Sequence, residues 1–561
     1  MQLPSLSVFV TFAAVPWAAA QQLVGIQAGV NPETGERPAR LNINDLHAQG
    51  GPAWDLFIQA LSAVQEAPED DWLSWYQIAG IHGLPFKPYN GVGQVPGGND
   101  KAGYCPHGQI TFLTWHRAYI ALLEQSLHGQ AERIAAQYSG ESAATYRAAA
   151  ETLRFPYWDW AEDAQLPPVT TEPTVQINGP NGPLTLHNPL YSYEFQTFPF
   201  TDPDFQGWGV TQFNETKRCT DAAEGSDGVN HYEIISQLLS GSANRLKSLV
   251  YSVFTSSTEF AAMASTHGTG SDFENPHNII HQQVGGGPLW TMVGHIQPVA
   301  WAGFDPIFWL HHTNVDRYFA MWQAIYYTSA MFNHTDDGFD AFGVAAGPVT
   351  ADTPLKPFLD GAGEFWTSNR VSSTREFGYT YPGLNDWALS PPDLATQVTA
   401  LVNQLYAPPE QLAAAAAARP RDSAAAQLKD YAAQVRVDRA DPSLPLPCTI
   451  ELQIGDAVAG EYALLAMPNV GSGSANIPLQ RALEDAGVPL DKPASEAVAM
   501  LKEKLRVVVR KSDGEILPPT SVSSLAIEVE DRDFFPARSV NEFPHFGEKT
   551  SWPVDFKDIQ L

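Results

Sequence analysis

The sequence predicts a mainly α-helical domain, a helix bundle with long loops, followed by a smaller β-rich C-terminal domain. Apolar residues recur at helical spacing in several stretches between residues 40 and 390. The composition changes at residues 407–427, where alanine and proline dominate and large apolar residues are few. Short β-type runs follow this segment. The expected boundaries are 21–405 for the helical domain, 406–440 for an Ala/Pro-rich linker and 441–561 for the last domain.

Helices are expected wherever apolar residues recur at intervals of three and four. The clearest amphipathic segment is 110–128. The pair Asp305-Pro306 is a good helix start, because the carboxylate can cap the helix and proline suits its first position. The other helical candidates are residues 52–66, 71–82, 130–153, 276–283 and 305–326. Beyond the linker, strands are expected at residues 448–455, 462–466, 505–511 and 524–530.

The length and charge of the chain limit its classes of function. With 561 residues the chain is too long for one ordinary core, so at least two domains are expected. The 32 basic and 62 acidic residues give a net charge of −30, which disfavours binding to nucleic acid or to an anionic membrane. No segment after residue 20 is apolar for long enough to span a bilayer. We therefore expect neither nucleic acid nor a membrane as a partner.

The first 20 residues predict a secretory signal peptide and hence an extracellular protein. They carry no charge, contain an apolar core and end in three alanines, which places the cleavage before Gln21. The sequons that begin at Asn214 and Asn333 agree with a secreted glycoprotein. The chain has only three cysteines, so it has no disulfide framework.

Six histidines fall into two groups along the chain, and each group offers three imidazole nitrogens. The groups are His82, His107 and His116, and His277, His281 and His312. His277 and His281 are four residues apart, so a helix would place both on one face. A lone histidine is usually a satisfied core residue, but triads drawn from separate segments can converge on a metal ion. Imidazole suits copper and zinc alike, so the ligand set by itself leaves both metals open.

The residues around these histidines carry a family resemblance. The segment from His107 to Glu124, with Trp115 and His116 inside it, resembles the first copper signature of the type 3 dicopper superfamily of tyrosinases, catechol oxidases and mollusc-type hemocyanins. Residues 305–317 resemble its second copper signature. The resemblance implies that the first copper ligands are His82, His107 and His116, and that the second are His277, His281 and His312, rather than His311.

The resemblance implies a copper oxidoreductase with two copper ions and O2 as its co-substrate. Such an enzyme oxidises o-diphenols to o-quinones and, as a tyrosinase, also o-hydroxylates monophenols. Glu274 and Asn278 match the pair that holds a water for taking the phenol proton. Val299 stands where many plant members carry a bulky phenylalanine, so an open cavity for phenolic substrates of some size is expected. Asp316, one turn after His312, is expected to fix helices or the orientation of a ligand.

Two further expectations come from the fungal tyrosinases and polyphenol oxidases of this superfamily. Cys105 lies two residues before His107, and the resemblance implies a thioether bond between its sulfur and that imidazole. This would leave Cys219 and Cys448 free to pair. The C-terminal domain is implied to be a lid that keeps the enzyme latent until an activating protease cuts the linker. The residue that blocks the site cannot be identified from the sequence, and the loop Met467–Ile477 is one candidate region.

Alternative functions stay open at this point. A catechol oxidase or an o-aminophenol oxidase would have the same metals without hydroxylating monophenols. An O2 carrier of the hemocyanin type would share the copper site, although the signal peptide, the single copy of the domain and the cleavable linker argue against it. A zinc hydrolase would use the same nitrogens for Lewis-acid chemistry. Formation of melanin-type pigment and turnover of lignin phenols are both compatible with the leading prediction.

Overall fold

A computed structural model gives the fold of most of the chain. It describes residues 21–287, 291–409, 411, 428–490 and 492–556. The predicted signal peptide and most of the predicted linker lie outside the described residues. Within the described ranges the α-helices, numbered α1 to α12, are Ile43–Gln49, Gly51–Glu66, Trp75–Gly80, Phe112–Ala135, Ser142–Thr152, Tyr232–Ser256, Phe260–Ala264, Glu274–Val284, Pro306–Ile325, Pro391–Tyr406, Gln480–Asp485 and Ala494–Lys504.

The strands fall into short hairpins in the first part of the chain and two larger sheets in the last part. Strands β1 to β8 are Thr174–Gly179, Gly182–His187, Thr220–Asp221, Met292–Val293, Asp336–Gly338, Gly347–Val349, Pro354–Leu359 and Phe365–Thr367. Strands β9 to β16 are Leu428–Asp438, Cys448–Ile454, Ala457–Leu464, Ser472–Pro478, Leu505–Lys511, Ile516–Leu517, Ala526–Phe535 and His545–Pro553.

The first core is built around helices α2, α4 and α9. Helix α4 packs against both of the others and is buried along most of its length, as its apolar spacing predicted. Helix α9 begins as its sequence indicated: Asp305 accepts a hydrogen bond from the Ile307 amide, and Pro306 takes the first helical position. Helix α8 packs against α9. Helices α4, α8 and α9 therefore meet at the centre of this domain.

The C-terminal domain has a separate core between two antiparallel four-stranded sheets. The strand order is β11-β10-β13-β14 in one sheet and β12-β9-β15-β16 in the other. Inward-facing residues such as Val435 and Val437 of one sheet and Ile450 and Leu452 of the other are buried in this core. Strand β11 also packs against helix α8, so the C-terminal domain covers the centre of the helical domain.

The mainly helical domain and the β-rich C-terminal domain confirm the predicted fold class. The helices expected at residues 52–66, 110–128, 276–283 and 305–326 correspond to α2, α4, α8 and α9. A single helix over 130–153 is wrong, because α4 ends at Ala135 and α5 begins only at Ser142. Gly140, with φ at +63°, breaks the chain between them.

Helix α6, with 25 residues, was missed because its apolar pattern is interrupted by the run Ser240-Gly241-Ser242. Packing of its buried residues, such as Leu239 and Leu246, overrides that local preference. In the described part of the chain, no helix combines the length and the apolar character needed to cross a membrane.

Candidate metal centre

Three helices and two loops bring the six predicted histidines together. Helices α4 and α9 each supply one histidine, and α8 supplies two on consecutive turns. His82 and His107 come from the loops after α3 and before α4. None of the six side chains is more than 3% exposed. The structure therefore places all six at one buried point between the helices.

The second triad has the geometry of a metal pocket. The Nε2 atom of His277 lies 3.0 Å from that of His281 and 3.1 Å from that of His312, and the last two are 3.3 Å apart. Two nitrogens that each lie about 2.0–2.1 Å from one ion are separated by roughly 3 Å, so the three atoms fit around one ion. The ring of His311 stacks on His277 with the centroids 4.9 Å apart.

The first triad is more open than the second. Ring nitrogens within 4.8 Å of one another join His82 to His116 and His82 to His107, but not all three histidines together. Its ring centroids are 5.1 Å apart for His82 and His107, 5.5 Å for His107 and His116, and 5.6 Å for His82 and His116. The Nε2 atoms of all three are buried and have no hydrogen-bond partner among the described residues. A buried nitrogen without a partner is costly, so three that converge indicate a position for a ligand ion.

The two triads are direct neighbours. The rings of His116 and His312 stack with their centroids 4.6 Å apart, and those of His107 and His277 stack at 5.8 Å. Two ions held by these triads would therefore lie side by side. That arrangement fits chemistry in which both ions contact one small molecule.

Hydrogen bonds to the other ring nitrogen orient four of the six imidazoles. The Nδ1 atoms of His82, His116 and His281 face backbone carbonyls, those of Val299, Phe112 and Ile296, at 2.9, 2.8 and 2.6 Å. The Nδ1 atom of His277 faces the side-chain oxygen of Asn278 at 2.9 Å. Each acceptor favours a proton on Nδ1 and so leaves Nε2 with a free lone pair for a metal.

Burial keeps these imidazoles neutral, which is the form that binds a metal ion. It lowers the pKa of His116 to about 3 and that of His281 to about 4. Burial also lowers the pKa of the other four far below the ordinary value, and neighbouring imidazoles add to the effect. The site is therefore ready for a cation without first losing protons near neutral pH.

Acid is expected to destabilise the metal-free protein through these imidazoles. Folded His281 has a pKa of about 4 and an unfolded histidine one of about 6.5, so the unfolded chain binds more protons between these values. The stability contributed by neutral His281 is full above about pH 6.5 and is lost as the pH falls towards 4. Urea unfolding of the wild type and of His281→Gln, which cannot be protonated, checks this. From about pH 7 to about pH 5, the free energy of unfolding of the wild type should fall by about 1–2 kcal/mol more than that of the variant. If the difference in unfolding free energy between the two proteins is the same at both pH values, the expectation for His281 is wrong.

Glu274 and Asn278, the predicted water-holding pair, both lie on helix α8 beside the second triad. The Glu274 carboxylate accepts hydrogen bonds from the Gly108 amide at 2.6 Å and from the Thr266 amide and hydroxyl at 2.9 and 3.1 Å. Burial raises the pKa of Glu274, and the charge of Arg439 opposes that rise. Glu274, Asn278, Thr266 and Arg439 are among the residues that line a small polar cavity.

Val299 and Cys105 lie beside the first triad. Both line a cavity of about 420 Å³ that reaches His82 and His107. This volume is in the range of small-molecule sites. The Cys105 thiol donates a hydrogen bond to the His82 carbonyl at 3.2 Å and lies within 4.8 Å of a ring nitrogen of His107. The thioether between Cys105 and His107 stays a prediction.

Asp316 fixes helices and does not contact the histidines of the two triads through any hydrogen bond described. Its carboxylate accepts hydrogen bonds from Arg117 at 2.6 Å, Arg40 at 3.1 Å, Tyr379 at 2.6 Å and Tyr381 at 2.7 Å. All five groups are buried or nearly so. This network ties α9 to α4 and to the end of the helical domain.

Cys219 and Cys448, which the sequence left free to pair, are not paired in the structure. Both thiols are free and buried, Cys219 in the helical core and Cys448 in the C-terminal core. The expectation came from elimination among three cysteines, and nothing local to either residue supported it.

No motif in the sequence indicated the residues through which the C-terminal domain reaches this site. Asn275 and Thr266 of the helical domain contact strand β11 and Arg439 respectively. These contacts join residues more than 170 positions apart. Asn275 lies one helical turn before Asn278, and that spacing is the only signal that could have found it.

Comparisons with known proteins give the family. A family profile described as the common central domain of tyrosinase matches residues 73–325. A tyrosinase from Podospora anserina is 34% identical over 406 residues, which cover 68% of this chain and 68% of that protein. Polyphenol oxidase 2 of Agaricus bisporus is 34% identical over 372 residues, or 63% of each chain.

Solved structures share the fold over almost the whole chain. A structure of latent and active mushroom tyrosinase superimposes with a TM-score of 0.78 at 24% identity, covering 96% of this chain and 99% of that one. A mutant pro-tyrosinase of Aspergillus oryzae gives 0.74 at 22% identity, covering 95% and 98%. The histidine centre, the matched central domain and the sequence relatives lead to one conclusion: the chain belongs to the tyrosinase family and is a copper-dependent oxidoreductase.

Proposed function

We propose that this protein is a secreted polyphenol oxidase that oxidises o-diphenols to o-quinones with O2, also o-hydroxylates monophenols, and is latent until its C-terminal domain is removed. The observation that carries the proposal is the contact between the two histidine triads, beside a cavity that His82 and His107 line together with residues of the C-terminal domain. The triad of His82, His107 and His116 would hold one copper ion, and that of His277, His281 and His312 the other.

The protein supplies neutral, pre-oriented nitrogen ligands for this chemistry. Copper bound there would supply one-electron chemistry towards O2, which zinc cannot do because it has a single stable oxidation state. The absence of a charged ligand among the six suits both Cu(I) and Cu(II). The choice of His312 over His311 is supported by the Nε2 distances of 3.1 and 3.3 Å from His312 to its partners.

Hydroxylation of a monophenol also needs a base, and Glu274 with Asn278 is proposed to provide it. Oε2 of Glu274 accepts from both donors of Thr266, whereas Oε1 accepts from the Gly108 amide. A carboxylate oxygen has two lone pairs, so Oε1 can accept one further hydrogen bond from a water. That water would take the phenol proton and pass it to Oε1.

The cavity indicates the substrates. Its lining includes His82, Val299 and the aromatic residues Phe86 and Trp208, whose rings suit a phenol ring. Val299 is a small lining residue next to the first triad, since its carbonyl faces the Nδ1 atom of His82. We propose small phenols as substrates, with melanin-type pigment or lignin-phenol turnover as the physiological setting.

The same cavity supports latency. Leu465, Ala466, Met467 and Pro468 of the C-terminal domain line it together with His82 and His107, and Leu465 is buried in the helical core. These residues stand where a phenol would enter. We therefore propose 21–405 as the catalytic domain and a linker for an activating protease within the predicted range 406–440. Because strand β9, Leu428–Asp438, pairs with β12 and β15 of the C-terminal sheet, the lid is proposed to begin at residue 428 and not at the predicted 441, with the blocking group at 465–468.

Cleavage in the linker is expected to raise the rate of catechol oxidation at least about tenfold, which corresponds to a closed lid favoured by about 1.4 kcal/mol. A recognition site for a site-specific protease is placed within residues 412–427, and O2 uptake of the copper-loaded chain is measured before and after cutting. The wild type treated with the same protease is the control. Equal rates in the cut and uncut forms would refute latency.

The remaining proposals concern processing. A signal peptide at residues 1–20, glycosylation at Asn214 and Asn333 and the thioether between Cys105 and His107 are proposed from the sequence. Both asparagines are exposed, which glycosylation requires.

A further inference from the structure

One segment of the lid separates two cavities beside the histidines. The larger cavity reaches His82 and Val299 and is the proposed path of the phenol. The smaller one is lined by the proposed base, Glu274 with Asn278. Leu465, Met467 and Pro468 line both. The segment 465–468 is therefore a wall between the substrate and the base.

The wall is fixed to helix α8 by side-chain amides. Asn275 accepts a hydrogen bond from the Ala463 amide at 3.1 Å and donates one to the Glu461 carbonyl at 3.2 Å, so it binds the backbone of β11 at two points. Asn278 donates to the Ala463 carbonyl at 3.1 Å while its oxygen faces His277. The lid thus occupies the side-chain amide of Asn278, which would otherwise be available for a hydrogen bond to a water beside Glu274.

Arg439 of the lid completes the wall on the side of Glu274. It donates a hydrogen bond to the Thr266 hydroxyl at 2.5 Å, and that hydroxyl itself donates to Glu274. A Cβ at Gly108, whose amide also binds Glu274, would lie 3.0 Å from both Arg439 Nη1 and Pro468 Cγ. Arg439 and Pro468 therefore cover the loop that holds the carboxylate.

We infer that the lid suppresses monophenol hydroxylation in a second way, in addition to blocking entry. Residues 465–468 and Arg439 separate the Glu274–Asn278 base from the phenol. This inference rests on the proposed function. Oxidation of an o-diphenol does not depend on that base in the same way, because its two hydroxyls are already in place. Opening the wall while the lid stays bound should therefore favour monophenols selectively.

The test uses the copper-loaded, full-length chain with Arg439→Met, which keeps much of the side chain but removes its donors. Hydroxylation of tyrosol and oxidation of catechol are measured side by side. Loss of the wall contact should raise the tyrosol rate at least about fivefold while the catechol rate stays within about twofold of the wild type. Pro468→Ala trims the same wall without removing a hydrogen bond that anchors the lid. Because Pro468 also lines the proposed path of the phenol, this variant should raise both rates, and the tyrosol rate more than the catechol rate.

Arg436→Met is the matched control, since Arg436 pairs with Glu528 inside the lid at 3.3 Å. It should leave the ratio of the two rates unchanged. The inference is overturned if Arg439→Met and Pro468→Ala raise both rates in parallel or change neither. After cleavage and loss of the lid, Arg439→Met and wild type should have equal ratios. A cleaved wild type that oxidises catechol but not tyrosol would instead refute the proposed monophenol activity.

Discussion

Replacing His116 by alanine is expected to lower the copper content of the reconstituted protein from two ions to one per chain and to abolish oxidation of catechol and tyrosol. The first triad would keep only His82 and His107, too few nitrogens to hold the ion in a three-coordinate pocket. Because the two triads must act together on O2, loss of one ion should remove activity by more than about a thousandfold. Metal analysis and O2 uptake measure the two effects.

His128→Ala is the matched control for this variant. His128 lies on the same helix α4 and is also buried, but it is outside both triads and its nearest ionic partner is Glu132 at 3.8 Å. It should keep two copper ions and oxidase activity. Quinone formation by His116→Ala at a rate close to that of the control would refute the assignment of the first triad.

The second large effect is expected on stability. Asp316→Ala removes the carboxylate that neutralises Arg117 and accepts from Arg40, Tyr379 and Tyr381. The charge of Arg117 would stay buried without that partner, and breaking a buried pair in this way costs about 3–5 kcal/mol. The free energy of unfolding, measured with urea on the copper-loaded chain, should fall by that amount.

An exposed ion pair serves as the control for the loss of unfolding free energy in Asp316→Ala. Glu496 lies 3.2 Å from Lys492, and both side chains are about half exposed. Glu496→Ala should cost less than about 1 kcal/mol, because solvent screens such pairs. A loss for Asp316→Ala no larger than that of Glu496→Ala would show that the buried network contributes little to the fold.

The sequence predicted those features that depend on residues close together in the chain. The spacing of His277 and His281 requires only one helix, and Asp305-Pro306 is sufficient to start another. Helices α8 and α9 could therefore be placed from short-range patterns. The family signatures then selected His312 within a pair of adjacent histidines.

The partners of Asp316 were beyond the reach of such patterns. Arg40 is 276 residues away along the chain, and Tyr379 is 63 residues away. The contact between Asn275 and Ala463 joins two domains across 188 residues. Pairings of this kind depend on how the domains pack, which no periodicity in a single sequence records.

The contacts through which the lid affects function were likewise only partly predictable from the sequence. The sequence offered the loop Met467–Ile477 as one candidate region for the blocking residue. The lid residues Leu465 to Pro468, which line the proposed substrate cavity, overlap the start of that loop. What the sequence could not indicate is that Ala463 and Arg439 also bind the residues around Glu274. The contacts of the lid with the residues around Glu274 can therefore be found only from the folded structure.

The most direct measurement is anomalous diffraction at the copper edge from crystals of the reconstituted full-length protein. Two peaks of copper, about 3.5–4 Å apart and one within each histidine triad, are the predicted result. A single peak, or two peaks too far apart to contact one O2 molecule, would contradict the account.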